Sequence, residues 1–229
     1  MIDYHCHLLP GIDDGPATTD EAVEMAAALQ RAGYSMVYCT PHLIKSVYEA
    51  SNEDVKTTLV ALQKRLNNEN IGLQLLPGRE HYLDEFLLDY LKDPLPLGNT
   101  KFIMLEIPRH IPQEFIKETF FRITCNGFIP MIAHPERGDF LNMLQKQANT
   151  RLPFFKAERK TENSELLNYL IDLGCAFQGN LGSFLGLYGP QAQKTANILK
   201  KMEVYTHFGT DLHSRSGIKY LEEKRSLKI

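Results

Sequence analysis

The sequence predicts an α/β fold built on a mainly parallel sheet, and three observations carry that expectation. Strand-like and helix-like segments alternate seven times along the chain. No repeat, low-complexity stretch or linker divides the 229 residues, a length that suits a single domain with a full core. Metal-ligand side chains stand at or just beyond the C-terminal ends of nearly all the strand-like segments. Such an alternation implies a parallel sheet, either open and doubly wound or closed as a barrel.

The elements follow in order. Ile2–His5 reads as a short strand, and Thr18, Thr19 or Asp20 can cap a helix from about Glu21 to Arg31, stopped by Gly33. Tyr34–Cys39 is the second strand, ending at Thr40-Pro41-His42. A helix opening at Ser51 or Asn52 runs to about Leu66, with Val55, Leu59 and Leu62 on one face. Gly72–Leu76 is the third strand, followed by Pro77-Gly78-Arg79-Glu80, a short helix over Tyr82–Leu91 and a proline-rich loop. Lys101–Glu106 and Phe128–Ala133 are strands flanking a helix over Ile111–Cys125. Asn149–Lys160 has no clear period. Glu162–Leu173 (helix), Cys175–Asn180 (strand), Gln191–Met202 (helix) and Val204–Gly209 (strand) complete the alternation.

Composition narrows the function classes. A net charge of -3 and a pI near 6.2 give no basic surface, which argues against nucleic acid as a partner. No apolar run approaches the roughly 18 residues of a membrane span, so no membrane insertion is expected. The start of the chain enters a strand at once, without the pattern of a secretory signal. Cys6, Cys39, Cys125 and Cys175 are scattered and form no Cys-x-x-Cys, which suggests a reduced, cytoplasmic protein.

The chemistry lies in the strand ends. His5 and His7, two apart on a strand, project to one side while Cys6 projects to the other. Asp13 and Asp14 follow in a glycine-bounded loop. His42 follows the second strand, Glu80 the third, Glu106 the fourth, His134 the fifth, and Asp211 and His213 the seventh. In a parallel fold all these ends open on one face, where such folds carry their sites. Five histidines and four carboxylates are too many for one ion. Three divalent cations set against four carboxylates and one hydroxide leave a net charge of about +1, a hole suited to a phosphate ester. Nitrogen and oxygen donors without thiolate favour manganese, iron or zinc over calcium or magnesium.

These segments, together with Gly78-Arg79-Glu80, Ala133-His134-Pro135-Glu136-Arg137 and Gln178-Gly179-Asn180 through Gly186-Leu187-Tyr188-Gly189, resemble the PHP (polymerase and histidinol phosphatase) superfamily. Within it they are most similar to the bacterial capsule and exopolysaccharide protein-tyrosine phosphatases. The resemblance implies a distorted seven-stranded (β/α) barrel, one domain over residues 1–229, with three divalent metals, manganese foremost. One metal would be held by His5, His7, Glu80 and Asp211, a second by Glu80, Glu106 and His134, and a third by Asp14, His42 and His213. Arg137 matches the arginine that holds the substrate phosphate. The implied reaction is hydrolysis of phosphotyrosine by a metal-bridging hydroxide, with His42 a candidate proton donor to the leaving group. The implied partner is the tyrosine-rich tail of a bacterial tyrosine kinase that controls polysaccharide export; the chain itself is a monomer or a homo-oligomer. The rivals are a PHP hydrolase acting on histidinol phosphate or another small ester, and a metal-stabilised module with little turnover.

Several residues stay outside the motifs. Asp13 and Asp14 are close to equal on chemistry, and motif register favours Asp14. His81 and His110 read as loop or rim residues, His207 as structural, and Glu136 as solvated or capping. Arg79 and Arg109 suit either phosphate contact or a structural salt bridge. Gly179 stands where the family pattern usually carries an apolar residue. No cysteine is followed six positions later by arginine, so a cysteine nucleophile is not expected; Cys39 has Lys45 there.

Overall fold

Two breaks, one at Pro41 and one at Gly78, shape the sheet. A computed structural model describes residues 1–109, 111–138 and 162–223; the expectations for His110 and for Asn149–Lys160 lie outside them. Strand β1 (Ile2–Cys6) pairs with β2 (Met36–Cys39), and β2 with β4 (Gln74–Pro77). A second sheet runs β3 (His42–Leu43), β5 (Glu80–Tyr82), β6 (Phe102–Glu106), β7 (Ile129–Ala133), β8 (Ala176–Asn180) and β9 (His207–Gly209) in that order, every pairing parallel.

The chain passes from one sheet to the other at Thr40-Pro41 and again at Gly78-Arg79. Pro41 has no N–H to continue the first ladder. At Gly78 a Cβ would lie 2.5 Å from Leu97 Cδ2, so a side chain there would have to displace the buried Leu97. Because of these bends His42 comes to pair with Glu80. The far edge curls back onto β1. Asp211 N–H donates to His5 O at 2.7 Å and His7 N–H to Leu212 O at 3.1 Å, and the buried Asp3 carboxylate accepts from Thr210 N–H and Oγ1.

Helices cover the outside. Helix α1 (Thr19–Arg31) starts at a Thr18–Glu21 capping box and buries Val23, Met25, Ala26 and Leu29; α2 (Asn52–Asn68) starts at a Ser51–Asp54 box and buries Val55, Leu59, Leu62 and Leu66. They pack on β1, β2 and β4, while α4 (Gln113–Cys125), α5 (Glu162–Asp172) and α7 (Gly189–Lys201) cover the other flank. On β6, Ile103 and Leu105 face that helical layer. Phe102 and Met104 face an interior cluster with Tyr38, Leu97, Met131 and Ala176, a floor beneath Glu106.

The expected helix over Tyr82–Leu91 contracts to α3 (Leu87–Tyr90), because Glu80–Tyr82 is held as a strand against β6. The expected strand Val204–Gly209 keeps only His207–Gly209. Two short helices are additions, α6 (Leu181–Phe184) and α8 (Ile218–Glu223). Gly179 has a packing reason: a Cβ there would meet the Tyr205 and Phe208 rings at 2.9–3.0 Å. Among the described residues no helix is long and apolar enough to cross a membrane.

Candidate metal centre

His5, His7, Asp14, His42, Glu80, Glu106, His134, Asp211 and His213 converge at the C-terminal end of the curled sheet. The centre of the arrangement is one oxygen. Glu80 Oε2 lies 3.1 Å from His5 Nε2, 3.2 Å from His7 Nε2 and 3.1 Å from His42 Nδ1. Asp211 Oδ1 is 3.4 Å from His5 Nε2 and 3.5 Å from His7 Nε2.

Partners outside this ring fix the imidazoles. Gln178 Oε1 accepts from the backbone N–H of His134 and lies 2.8 Å from His5 Nδ1, while Gln178 Nε2 donates to Gly179 O. The amide is thereby oriented with its oxygen on His5 Nδ1, which leaves Nε2 as the His5 atom that faces the centre. Asp13 does the same for His7: Oδ2 lies 2.6 Å from His7 Nδ1 and also accepts from His42 N–H, while Oδ1 accepts from Gly15 N–H. Burial pushes Asp13 up, yet these donors outweigh it and hold its pKa at about 2. Asp13 is fully engaged as an orienting group, and Asp14 is the one that turns an oxygen toward the histidines.

Three groups of donor atoms are close enough to share ions: His5, His7, Glu80 and Asp211; His42, Glu80 and Glu106; and His7, Asp14, His42 and His213. The first group holds the same residues as one implied set, and the third brings His7 together with Asp14, His42 and His213. In the second, His42 stands beside Glu80 and Glu106, while His134 Nε2 sits 2.8 Å from the other Glu80 oxygen. Both His42 nitrogens are used, Nδ1 toward Glu80 and Nε2 toward Asp14 at 3.8 Å.

The chemistry of the donors fits divalent cations. Among the described residues, Glu80 Oε2 and His42 Nδ1 lie buried 3.1 Å apart without a well-aligned hydrogen bond, an arrangement that costs stability until it is satisfied. Burial and the Glu80 charge push Glu106 up to about 7. Imidazole nitrogens and carboxylate oxygens crowded at these distances are what a cation relieves. His134 and Asp211 hold left-handed backbone conformations (φ 31° and 52°), unusual for residues other than glycine.

The mouth beside this centre is a cavity of about 460 Å³ lined by Tyr82, Glu106, Ile107, Pro108, Arg109, His134 and Arg137. Arg137 Nη1 donates to Asp211 Oδ2, and its guanidinium lies 4.4 Å from the centre of the Tyr188 ring.

The family model for capsular polysaccharide synthesis, CpsB/CapC, matches residues 1–151. This chain belongs to the CpsB/CapC family. Tyrosine-protein phosphatase YwqE of Bacillus subtilis is 33% identical over 217 residues, covering 93% of this chain and 78% of that protein. A chain from the crystal structures of YwqE of B. subtilis and CpsB of Streptococcus pneumoniae, described as metal-dependent tyrosine phosphatases, superposes with a TM-score of 0.78 at 30% identity, over 99% of this chain and 87% of the other. A Listeria monocytogenes chain assigned as a histidinol phosphatase shares the fold, with a TM-score of 0.51 at 11% identity over 95% and 97% of the two chains.

The structure corrects the expectations for His81, Arg79 and Glu136, and agrees with those for Arg109, His207 and Cys6. His81 is buried in β5, its Nδ1 3.2 Å from Met104 O, and burial pushes its pKa down to about 4. Arg79 reaches neither the mouth nor a carboxylate; it is buried and donates to His42 O, Ala50 O and Asn52 Oδ1, tying down the loop after β3. Glu136 is buried, accepting from Asn180 N–H and Tyr205 O–H at 2.9 Å each. Arg109 lines the mouth. His207 is packed edge-on against Tyr4 and Phe102, and Cys6 is fully buried in the outer core. Sequence reasoning missed Gln178 and Asn180 as orienting groups. Their signal was present, a polar pair two apart on a strand, in the same spacing as His5 and His7.

Proposed function

We propose that this chain is a metal-dependent protein-tyrosine phosphatase, and the ring of imidazole nitrogens around Glu80 Oε2 is the observation that carries the reading. Family membership and the named activities of YwqE and CpsB support it.

In this reading His5, His7, Glu80 and Asp211 hold one ion. Glu80 and Glu106, with His134 beside them, hold a second, and Asp14, His42 and His213 a third. His42 stands between the last two, so both its nitrogens serve the centre rather than proton delivery. Manganese is the proposed metal, with iron or zinc as alternatives. When bound, the ions lower the pKa of a water to supply the nucleophile and offset phosphate charge. Arg137 donates to the phosphate oxygens from the rim, adding charge-assisted hydrogen bonds as negative charge moves onto them. The mouth between Tyr82, Ile107 and Pro108 takes the phenyl ring. A phenolate leaves with a pKa near 10, so it needs little acid help. The proposed substrate is the tyrosine-rich tail of a bacterial tyrosine kinase governing capsule or exopolysaccharide synthesis.

The frame belongs to the same reading. Counting β2 with β3 and β4 with β5 as interrupted strands makes seven, the number of the distorted PHP barrel in a single domain. The test is elemental analysis of the purified protein combined with turnover on a phosphotyrosyl peptide and on histidinol phosphate. The proposal requires up to three manganese-class ions, loss of activity with chelator and preference for the peptide. Preference for histidinol phosphate, or a full metal load without turnover on either, would replace it.

A further inference from the structure

The segment from Gln178 to Gly189 reaches the centre at a second place besides the contact between Gln178 and His5. It crosses from β8 through α6 to the start of α7 and returns Tyr188 to the centre. There the second oxygen of Asp211, the one facing away from His5 and His7, collects three donors. Asn180 Nδ2 donates to it at 2.8 Å, Tyr188 O–H at 3.3 Å, and Arg137 Nη1 completes the set. The Tyr188 ring lies under the guanidinium. The neighbouring bonds hold the frame rigid: Asn180 Oδ1 accepts from Gly182 N–H at 2.8 Å, and Asn180 N–H donates to buried Glu136, the residue before Arg137. Tyr188 is itself 41% exposed.

We propose that Tyr188 is a positioning residue for Arg137, its ring face and the Asp211 carboxylate together forming a cradle that aims the guanidinium at the substrate phosphate. This rests on the reading of Arg137 as the phosphate-binding arginine. An arginine has four side-chain torsions to fix, and a rim position supplies little packing to fix them. An ion pair holds one edge of the guanidinium, while a face-on aromatic ring fixes its plane. The free edge then meets the phosphate without the entropy loss of ordering at the moment of binding. Asp211 joins the cradle to the centre, since its other oxygen faces His5 and His7.

The experiment is a double-mutant cycle on the manganese-loaded protein. Tyr188→Leu and Arg137→Ala are made singly and together. KM and kcat are measured with a phosphotyrosyl peptide, inorganic phosphate affinity by calorimetry, and metal content by elemental analysis. Tyr188→Leu should weaken phosphate affinity and kcat/KM about threefold to thirtyfold, the range of a partly desolvated cation–π contact, with metal content unchanged. In the Arg137→Ala background the same change should cost less than twofold, because the group it positions is gone. Tyr188→Phe, which keeps the ring face, should rescue most of the loss. Tyr188→Met, close in size but without the ring, should behave like Tyr188→Leu and guards against a folding defect in that variant. An equal loss from Tyr188→Leu in both backgrounds overturns the cradle while leaving the arginine reading intact. Unchanged phosphate affinity in Arg137→Ala alone overturns the arginine reading and the cradle with it. Loss of metal in Tyr188→Leu would make the tyrosine a support of the centre, and would also overturn the proposal.

Discussion

The inner and outer halves of the candidate centre differ in how much of their geometry exists before any ion arrives. In the inner group, His5, His7, Glu80 and Asp211 are all buried, and Gln178, Asp13 and Asn180 hold their far sides. In the outer group the Asp14 side chain is 46% exposed and that of His213 27%, and Asp14 makes only long approaches to the histidines. The inner donors cannot turn away, so their desolvation has been met by folding and an ion recovers it. The outer donors must still be ordered. Strong retention inside and weak, exchangeable binding outside follows from that contrast.

The largest effect should come from the residue both halves share. Glu80→Gln keeps shape but removes the charge on the oxygen around which three imidazoles are arranged. The variant should lose at least one ion and about a thousandfold or more in kcat, on the scale of removing a principal electrostatic stabiliser. Full metal content by elemental analysis with turnover near wild type would break the idea of one central oxygen.

Arg137→Ala comes next. It removes a charge-assisted donor at the rim and should cost about 2–4 kcal/mol of transition-state stabilisation. Both halves should keep their ions, because Arg137 meets Asp211 at Oδ2 and leaves Oδ1 facing His5 and His7. Wild-type kinetics would mean that the phosphate sits elsewhere.

The adjacent pair Asp13 and Asp14 sharpens the contrast itself. Asp13→Asn leaves the shape but weakens the acceptor that sets the His7 tautomer, and such orienting partners are worth about 10–100-fold in metal affinity. Asp14→Asn should weaken only the outer ion. A manganese titration followed by calorimetry should show the tight phase shifted in Asp13→Asn and the weak phase alone shifted in Asp14→Asn. The reverse pattern would exchange the two roles.

Much of this was legible in the sequence, for reasons that differ by residue. The alternation of elements and the placement of ligand-type residues at strand ends depend on local periodicity and on chain order, which a sequence carries. His5, Cys6 and His7 could be assigned faces from a two-residue period alone. What could not be read depends on contacts across the chain. His42 joining Glu80 and Glu106 follows from the bends at Pro41 and Gly78, which bring β3 beside β5. The burial of Glu136 depends on Tyr205 and Asn180, far away in sequence. The identity of Arg79 as a clamp on the His42 loop is set by the carbonyls of residues in that loop, and carbonyl direction has no sequence signature. Asp13 and Asp14 have the same chemistry, so only the direction of each side chain separates them.

The smallest expected effect lies at the residue between the two inner histidines. Cys6 alternates with His5 and His7 along β1, so its thiol enters the outer hydrophobic layer, 3.7 Å from Leu212 O. Burial raises its pKa well above the usual thiol value, with the Asp3 charge adding to the rise, and a thiol held neutral is a poor nucleophile. Cys6→Ser keeps size and strand geometry while removing any possible thiolate. An enzyme that uses its metals should retain most of its turnover, with a stability loss of about 1–3 kcal/mol from placing a hydroxyl in an apolar layer. A cysteine nucleophile would instead lose several orders of magnitude, because serine is far harder to ionise. The two losses are separable, since one appears in thermal melting and the other in kcat measured below the melting range. A Cys6→Ser protein that stays folded with its full metal content and yet is inactive would transfer the chemistry from the inward face of β1 to the outward one.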